Sequence, residues 1–305
     1  MVFDCHAHIA SSKTLPISFV KGMVNNLVAS MPKQLEKKQE EYLQKVIYQL
    51  MNHDDEGEMM IEEMNKAEIS KSVLLIIDYG IVFPDDFPVL EEVFQLHRRV
   101  LEKYPDRFIV FSGIDPRRGK KGLDLFEKSI KEWRFKGLKL YPPCGFNPSD
   151  PIVFPFYEIA QKYQIPVLLH TGPTSPSLPF KYSAPELIDE AAYRFPKVNF
   201  ILAHAAFMMH EQASILAEYR PNIYLDVSGF TNAIRMERFK SILLEHKKRG
   251  ILNKVLFGTD WPIHRLNGNQ KDLVEMFRTK AEEVLTSEEI ENIMYNNIHK
   301  IIKPN

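Results

Sequence analysis

The sequence predicts an α/β protein of the (β/α)8 TIM-barrel class, one domain over 1–305 with a helical insertion after the first strand at 11–54. Three observations lead there. Short runs rich in Val, Ile, Leu and Phe recur along the chain, as expected of parallel strands buried on both faces. Stretches with helical spacing lie between them. Polar, metal-ligating residues stand at the C-terminal ends of several runs, the edge at which barrels place their active sites. A length of 305 residues suits a barrel of ~250 residues with one insertion.

The runs fall at 1–6, 73–77, 108–114, 137–141, 166–170, 199–204, 222–227 and 254–260. Of the stretches between them, 123–134 shows an inner stripe of Leu123, Phe126, Ile130 and Trp133, and 156–163 is similar. Proline breaks two helical stretches just before a strand, at Ile165-Pro166 and Phe195-Pro196, because it stops a helix near the preceding residue. The long gap between the first two runs is the exception. Within it, 33–51 has Leu35, Tyr42, Leu43, Val46, Ile47 and Leu50 at helical spacing among charges. The insertion is expected over the C-terminal mouth, with a packing or dimerisation helix as the competing reading.

Apolar residues are 45% of the chain, and 39 Lys plus Arg nearly cancel 40 Asp plus Glu. The net charge of -1 offers no global field for nucleic acid or an anionic membrane. The two cysteines, Cys5 and Cys144, are not a disulfide framework, which suits a reducing compartment. No run approaches the ~20 apolar residues of a membrane helix, and no basic segment precedes an apolar stretch at the start. The expectation is a cytoplasmic protein acting on a small molecule, with neither nucleic acid nor membrane as partner.

Asp4-Cys5-His6-Ala7-His8 ends the first run. Residues two apart on a strand face one way, so His6 and His8 point into one space. His170 ends PVLLH, His204 ends FILAH, and Asp260 ends VLFGTD. Neutral imidazoles are common ligands of borderline metals, and three of them with one carboxylate leave a divalent ion net positive charge and room for water. His6, His8, His170 and Asp260 are therefore the candidate ligands. Zinc is the expected ion, although iron, manganese or cobalt would bind the same donors. His204 is the candidate general acid/base. Lys139 at the end of GLKL is a candidate for binding an anionic substrate group. With His204 it could instead hold a second metal, as a carbamate. His264 and Arg265, beyond Trp261-Pro262, are candidates for binding a substrate carboxylate. Tyr141 is expected to point away from Lys139 if the strand continues, and Cys5 to face the helices. Asp226 and Ser228 are expected in supporting roles. His53, His97, His246 and His299 are expected at the surface.

DCHAHI, GLKLYPP, LLHTG, ILAHAA and LFGTDWP together resemble the amidohydrolase superfamily. Within it the resemblance is to the amidohydrolase-related branch, which also contains the aminocarboxymuconate-semialdehyde decarboxylase-like enzymes. The motifs run in family order from Asp4 to Asp260. A weaker match, YNNIHKII, departs from the family at Asn296 and Lys300, where Gly and Arg are usual. The resemblance implies metal on His6, His8, His170 and Asp260. It also implies that His204 serves proton transfer or a second metal, and that Asp260 orients or deprotonates a water. By analogy it suggests a homodimer. The expected function is a hydrolase that uses a metal-activated water on an amide, ester or lactone. The alternative is non-oxidative decarboxylation or hydration of an unsaturated or aromatic acid. A non-catalytic metal-binding interaction protein is a third reading.

Overall fold

In the computed structural model, which describes residues 1–32, 34–230, 233–263, 265 and 268–302 (side chains of 206–208 and 233–235 excepted), eight parallel strands follow one another round a barrel in chain order. They are β1 (Val2–Ala7), β2 (Ile69–Leu75), β3 (Phe108–Gly113), β4 (Gly137–Leu140), β5 (Val167–Leu169), β6 (Phe200–Leu202), β7 (Ile223–Asp226) and β8 (Val255–Leu256). Backbone bonds close the ring between the β8 segment and β1. Cys5 N–H donates to Phe257 O at 2.9 Å, Asp260 N–H to His6 O at 2.7 Å, and His8 N–H to Trp261 O at 2.6 Å.

The helices are α1 (Ile17–Ala29), α2 (Lys37–Met51), α3 (Glu58–Lys66), α4 (Leu90–Lys103), α5 (Gly119–Trp133), α6 (Phe154–Tyr163), α7 (Asp189–Arg194), α8 (His210–Tyr219), α9 (Ala233–Lys248), α10 (Gln270–Glu282), α11 (Ser287–Glu291) and α12 (Asn297–Ile301). Alternation along the strands builds two apolar layers. Phe3, Val73, Leu75, Phe111, Leu168, Ile201 and Leu256 fill the barrel. Leu74, Val110, Leu138, Leu140, Val167, Leu169 and Leu202 belong to the layer shared with the helices. Such strands must be apolar on both faces, which is why they read as continuous runs. At ~25 cal/mol per Å² of apolar surface removed from water, these layers supply the dominant stabilising term.

The insertion is helical and lies over the mouth. Buried Phe19, Val20 and Val24 give α1 its inner face. The Ser175 hydroxyl, in the loop after β5, donates to Phe19 O at 2.8 Å. The Ser18 N–H donates to Asp86 Oδ2 at 2.7 Å. A Cβ on Gly22 would stand 2.5 Å from Ser175 Oγ, so glycine is what lets α1 approach that loop. α2 opens on a capping box in which the Gln39 side chain accepts from Glu36 N–H at 2.9 Å. The predicted 33–51 stretch matches α2, and Lys33 lies outside the described residues.

Two expectations fail. Cys5 does not face the helices. Between Asp4 and Ala7, β1 advances three residues while its partner advances two, from Ser72 to Leu74. This bulge puts Cys5 into the barrel filling beside His6, and burial pushes its thiol well up. His97 and His246 are not surface residues either, being buried in α4 and α9. His97 Nδ1 donates to Val93 O at 2.8 Å. His246 Nε2 donates at 3.0 Å to Ser214 Oγ, whose own proton goes to His210 O, and its Nδ1 is buried without a partner. The charged neighbours of both histidines in the sequence belong to the opposite, solvated faces of their helices.

Burial first, then the positive charges of His210 and Arg249, holds the His246 imidazole down to about 3 from its ordinary 6.5. The unfolded chain therefore gains a proton below pH 6.5 that the folded chain refuses until about pH 3. Stability falls as pH falls across that window, by about 1.4 kcal/mol per pH unit for one such group. Chemical denaturation of His246→Leu against wild type between pH 7 and 4 should show a dependence shallower by about one proton. An unchanged slope would mean that His246 is already protonated in the native state.

Candidate metal centre

Side chains from five strand ends meet at the C-terminal mouth. His6 Nε2 is 3.3 Å and His8 Nε2 is 3.4 Å from the same Asp260 oxygen, Oδ1. The His6 ring lies 5.3 Å from that of His8 and 4.8 Å from that of His204, and the His204 ring is 5.0 Å from that of His170. The β1 bulge keeps His6 inside, and His8 follows two residues on. Among the described residues, ligand atoms of His6, His8 and Asp260 lie within 4.8 Å of one another, as do those of His6, His204 and Asp226. His170 belongs to neither trio, but its ring borders the same cavity.

Hydrogen bonds at the back of the site decide which nitrogens face it. Asp226 Oδ2 accepts from His6 Nδ1 at 2.8 Å. Leu75 O accepts from His8 Nδ1 at 2.8 Å. The Ser228 hydroxyl gives its proton to Asp226 Oδ1 and so accepts from His204 Nδ1, at 2.9 Å. Each of these imidazoles thus carries its proton on Nδ1 and turns an Nε2 lone pair inward, the tautomer a metal ligand needs. His170 Nε2 is buried with no partner in the protein. An orphaned buried ring nitrogen is costly unless something else satisfies it, and a cation would. The donor set therefore fits one divalent metal ion.

Asp226, expected only as support, is the hub of this arrangement. It accepts from the backbone N–H groups of His204 at 3.2 Å and Ser228 at 2.8 Å as well as from the two side chains. Burial alone would raise its carboxyl. The adjacent His6 and His204 imidazoles, with hydrogen bonds from His6 and Ser228, drive it well below the usual carboxylate range. Burial lowers the imidazoles of His8 and His170, and brings His204 down to about 3. All three are neutral at pH 7 and ready to bind a cation. Asp4 joins β1 to the β8 end by accepting from His6 N–H at 3.0 Å, Thr259 N–H at 2.9 Å and the Thr259 hydroxyl at 2.6 Å. A Cβ on Gly258 would be 2.9 Å from His6 Cβ, so the strand end can pass His6 only as glycine.

His204, Ala205 and Asp260 hold left-handed backbones, with φ of 61°, 42° and 54°. Each non-glycine residue there costs roughly 1–3 kcal/mol, and such residues cluster at functional sites. The expense falls on His204 and Asp260, the two candidate catalytic residues, and no pattern in the sequence announces it.

The cavity over these groups has a volume of about 370 Å³, within the usual range for small-molecule sites. Lys139 lines it although only 1% exposed. Burial lowers its ammonium to about 8, against the opposing pull of Asp226 and Asp260, so it is still largely charged at pH 7. Tyr141 does not point away. β4 stops at Leu140, and the chain turns Tyr141 into the cavity, its ring 4.6 Å from that of His170 and 5.9 Å from Lys139 Nζ. Its hydroxyl bonds Thr174. Arg265 is placed against the insertion, with Nη1 3.5 Å from Leu50 O and 2.5 Å from His53 Nε2, and its guanidinium 5.3 Å from the Trp261 ring centre. His264 lies outside the described residues. Tyr79 and the α1 face also line the cavity. Sequence reasoning missed both, since neither ends an apolar run in a metal-ligating residue.

Replacing a partner that orients a metal-binding imidazole costs ~10–100-fold in metal affinity. Asp226→Asn should show a loss of that size in competition titrations against a chromophoric chelator, with its circular dichroism unchanged. Wild-type affinity in this variant would remove Asp226 from the account.

Known proteins share this architecture. A solved structure of an uncharacterized TIM-barrel protein from Bordetella bronchiseptica superposes with a TM-score of 0.69 at 19% identity, over 98% of this chain and 97% of that one. A probable 2-pyrone-4,6-dicarboxylic acid hydrolase from Acinetobacter baumannii gives 0.66 at 14% identity, over 98% of each chain. The 5-carboxyvanillate decarboxylase of Sphingomonas paucimobilis gives 0.65 at 13%, over 100% of this chain and 99% of that one. Among curated sequences, protein fluG of Emericella nidulans is 28% identical over 95 residues, 31% of this chain. That match spans only 11% of the fluG protein. The amidohydrolase family model matches residues 84–303. With well over half of its length matched, this chain belongs to the amidohydrolase family.

Proposed function

We propose that the protein is a metal-dependent lyase that decarboxylates an aromatic or conjugated carboxylic acid without oxidation. The observation that carries this reading is the buried Lys139, an ammonium that lines the same cavity as the candidate ligands. A cation placed there at the cost of desolvation suits a substrate that brings its own negative charge. His6, His8, His170 and Asp260 would hold one divalent ion, with zinc expected and manganese equally compatible with the donors. When bound, that ion supplies Lewis acidity toward substrate oxygens.

The protein's own groups do the rest. Lys139 pairs with the carboxylate and orients it; it is placed better for this than Arg265, which is engaged by the insertion. The carbon–carbon bond to the carboxylate breaks, carbon dioxide leaves, and the electron pair remaining on carbon takes up a proton. Asp260 and His204 are the groups in reach for that proton. His204 rests neutral with its proton on Nδ1, so it takes up a proton at Nε2 before it delivers one. The walls of α1 and Tyr141 exclude bulk water from the carbanionic centre. The decarboxylase among the structural relatives supports this reading at the level of fold-wide precedent. Hydrolysis is the second reading. Asp260, poised between His6 and His8, is suited to deprotonating an attacking water, and one relative bears the name of a hydrolase.

Metal-reconstituted protein incubated with a panel of hydroxybenzoic acids should release carbon dioxide in equal amount to the decarboxylated arene. Removing a fixed electrostatic partner costs ~100-fold or more in such sites. Lys139→Met should therefore lose turnover on that scale while its metal content, by elemental analysis, stays at the wild-type value. Acid release from lactones or esters, with no carbon dioxide from any acid, would move the assignment to hydrolysis.

A further inference from the structure

The cavity's outer half is as telling as its metal end. Leu15, Phe19 and Met23 from the insertion, with Met51 at the end of α2, line that side. Among the described residues, Lys139 is the only lysine or arginine lining the cavity, and it sits at the bottom beside the imidazoles. Arg265, the other cation near the mouth, is turned to Leu50 O and His53. Away from the metal end the polar lining is neutral, supplied by Thr14, Asn26, Ser175 and Tyr141, the last hydrogen-bonded to Thr174. The roof packs on the barrel. Ser175 and Gly22 hold α1, which carries Phe19 and Met23, against the loop after β5.

We infer that Phe19 and Met23 are specificity-determining residues that restrict the site to acids carrying one anionic group on a flat apolar body. A carboxylate near the metal end meets Lys139. A second carboxylate at the far end of the same ring would lie against Phe19 and Met23 with no lysine or arginine among the described lining residues to pair with it, and desolvating a charge without a counter-charge is strongly unfavourable. A neutral oxygen substituent has a partner in the Tyr141–Thr174 pair. The inference rests on the proposed acid-binding role of Lys139 but not on the reaction that follows.

Isothermal titration of metal-reconstituted protein with 3-nitrobenzoate and isophthalate separates the two issues, since nitro and carboxylate groups have nearly the same shape and differ in charge. Wild type should bind 3-nitrobenzoate at least tenfold tighter. In Met23→Lys, which puts a cation under the roof, the ratio should move at least tenfold toward isophthalate. Asn26→Lys, at an exposed position on the cavity rim, should move it the same way with less risk to folding. The inference fails if isophthalate binds wild type as tightly as 3-nitrobenzoate, if neither ligand binds, or if both lysine variants fold normally and leave the ratio unchanged. A clear preference for 3-nitrobenzoate with no carbon dioxide release would overturn only the decarboxylase assignment. Decarboxylation of dicarboxylates in preference to monoacids would overturn only the present one.

Discussion

A neutral imidazole can turn a lone pair toward a cation only if its single proton is held on the opposite nitrogen. At this site the Asp226 carboxylate holds the His6 proton directly, at 2.8 Å, and that of His204 through the Ser228 hydroxyl. The Leu75 carbonyl does the same for His8. Because Asp226 sits on β7 and His6 on β1, the ring of strands must close before the His6 tautomer is set, whereas the bonds of His8 and His204 join neighbouring strands. The metal-binding chemistry thus depends on hydrogen bonds across the barrel more than on the ligands alone.

The fold serves this end by being rigid where the chemistry is. The interior below the site is filled by side chains such as Phe3, Phe111 and Leu168, leaving His6 and Asp226 no room to relax downward. Asp4 and Gly258 bring the β8 end against β1. The left-handed backbones of His204 and Asp260 are sustained by those surroundings, at the expense of stability gained in the core. Above the site the insertion adds an apolar roof, which turns an open barrel mouth into a cavity with a charged floor.

Much of this was legible in the sequence because buried parallel strands leave a plain signature: an apolar run that ends abruptly in a polar residue. His170, His204 and Asp260 each end such a run, and the structure brings them to one cavity; the same signal marks Asp226, although nothing local shows that four hydrogen bonds converge on it. The misread positions have physical causes. Strict alternation turned Cys5 outward because a bulge, being a matter of pairing with the next strand, leaves no mark in one strand's own sequence. Tyr141 faces the cavity because β4 ends one residue before the apolar run does. His97 and His246 were read from their charged neighbours, whereas burial follows the helix face. The insertion was recognised by length and by the amphipathic 33–51 stretch, but the roof comes mainly from α1, whose apolar residues carry no chemical signature of a binding wall.

Imidazoles from separate strands and one carboxylate are placed to grip a single cation. X-ray absorption at the metal edge of reconstituted protein tests it most directly. The expected result is one ion per chain, a first shell of nitrogen and oxygen alone at roughly 2.0–2.2 Å for zinc, and the outer-shell scattering of about three imidazole rings. A shell lacking imidazole, or the absence of stoichiometric metal after reconstitution, would contradict it.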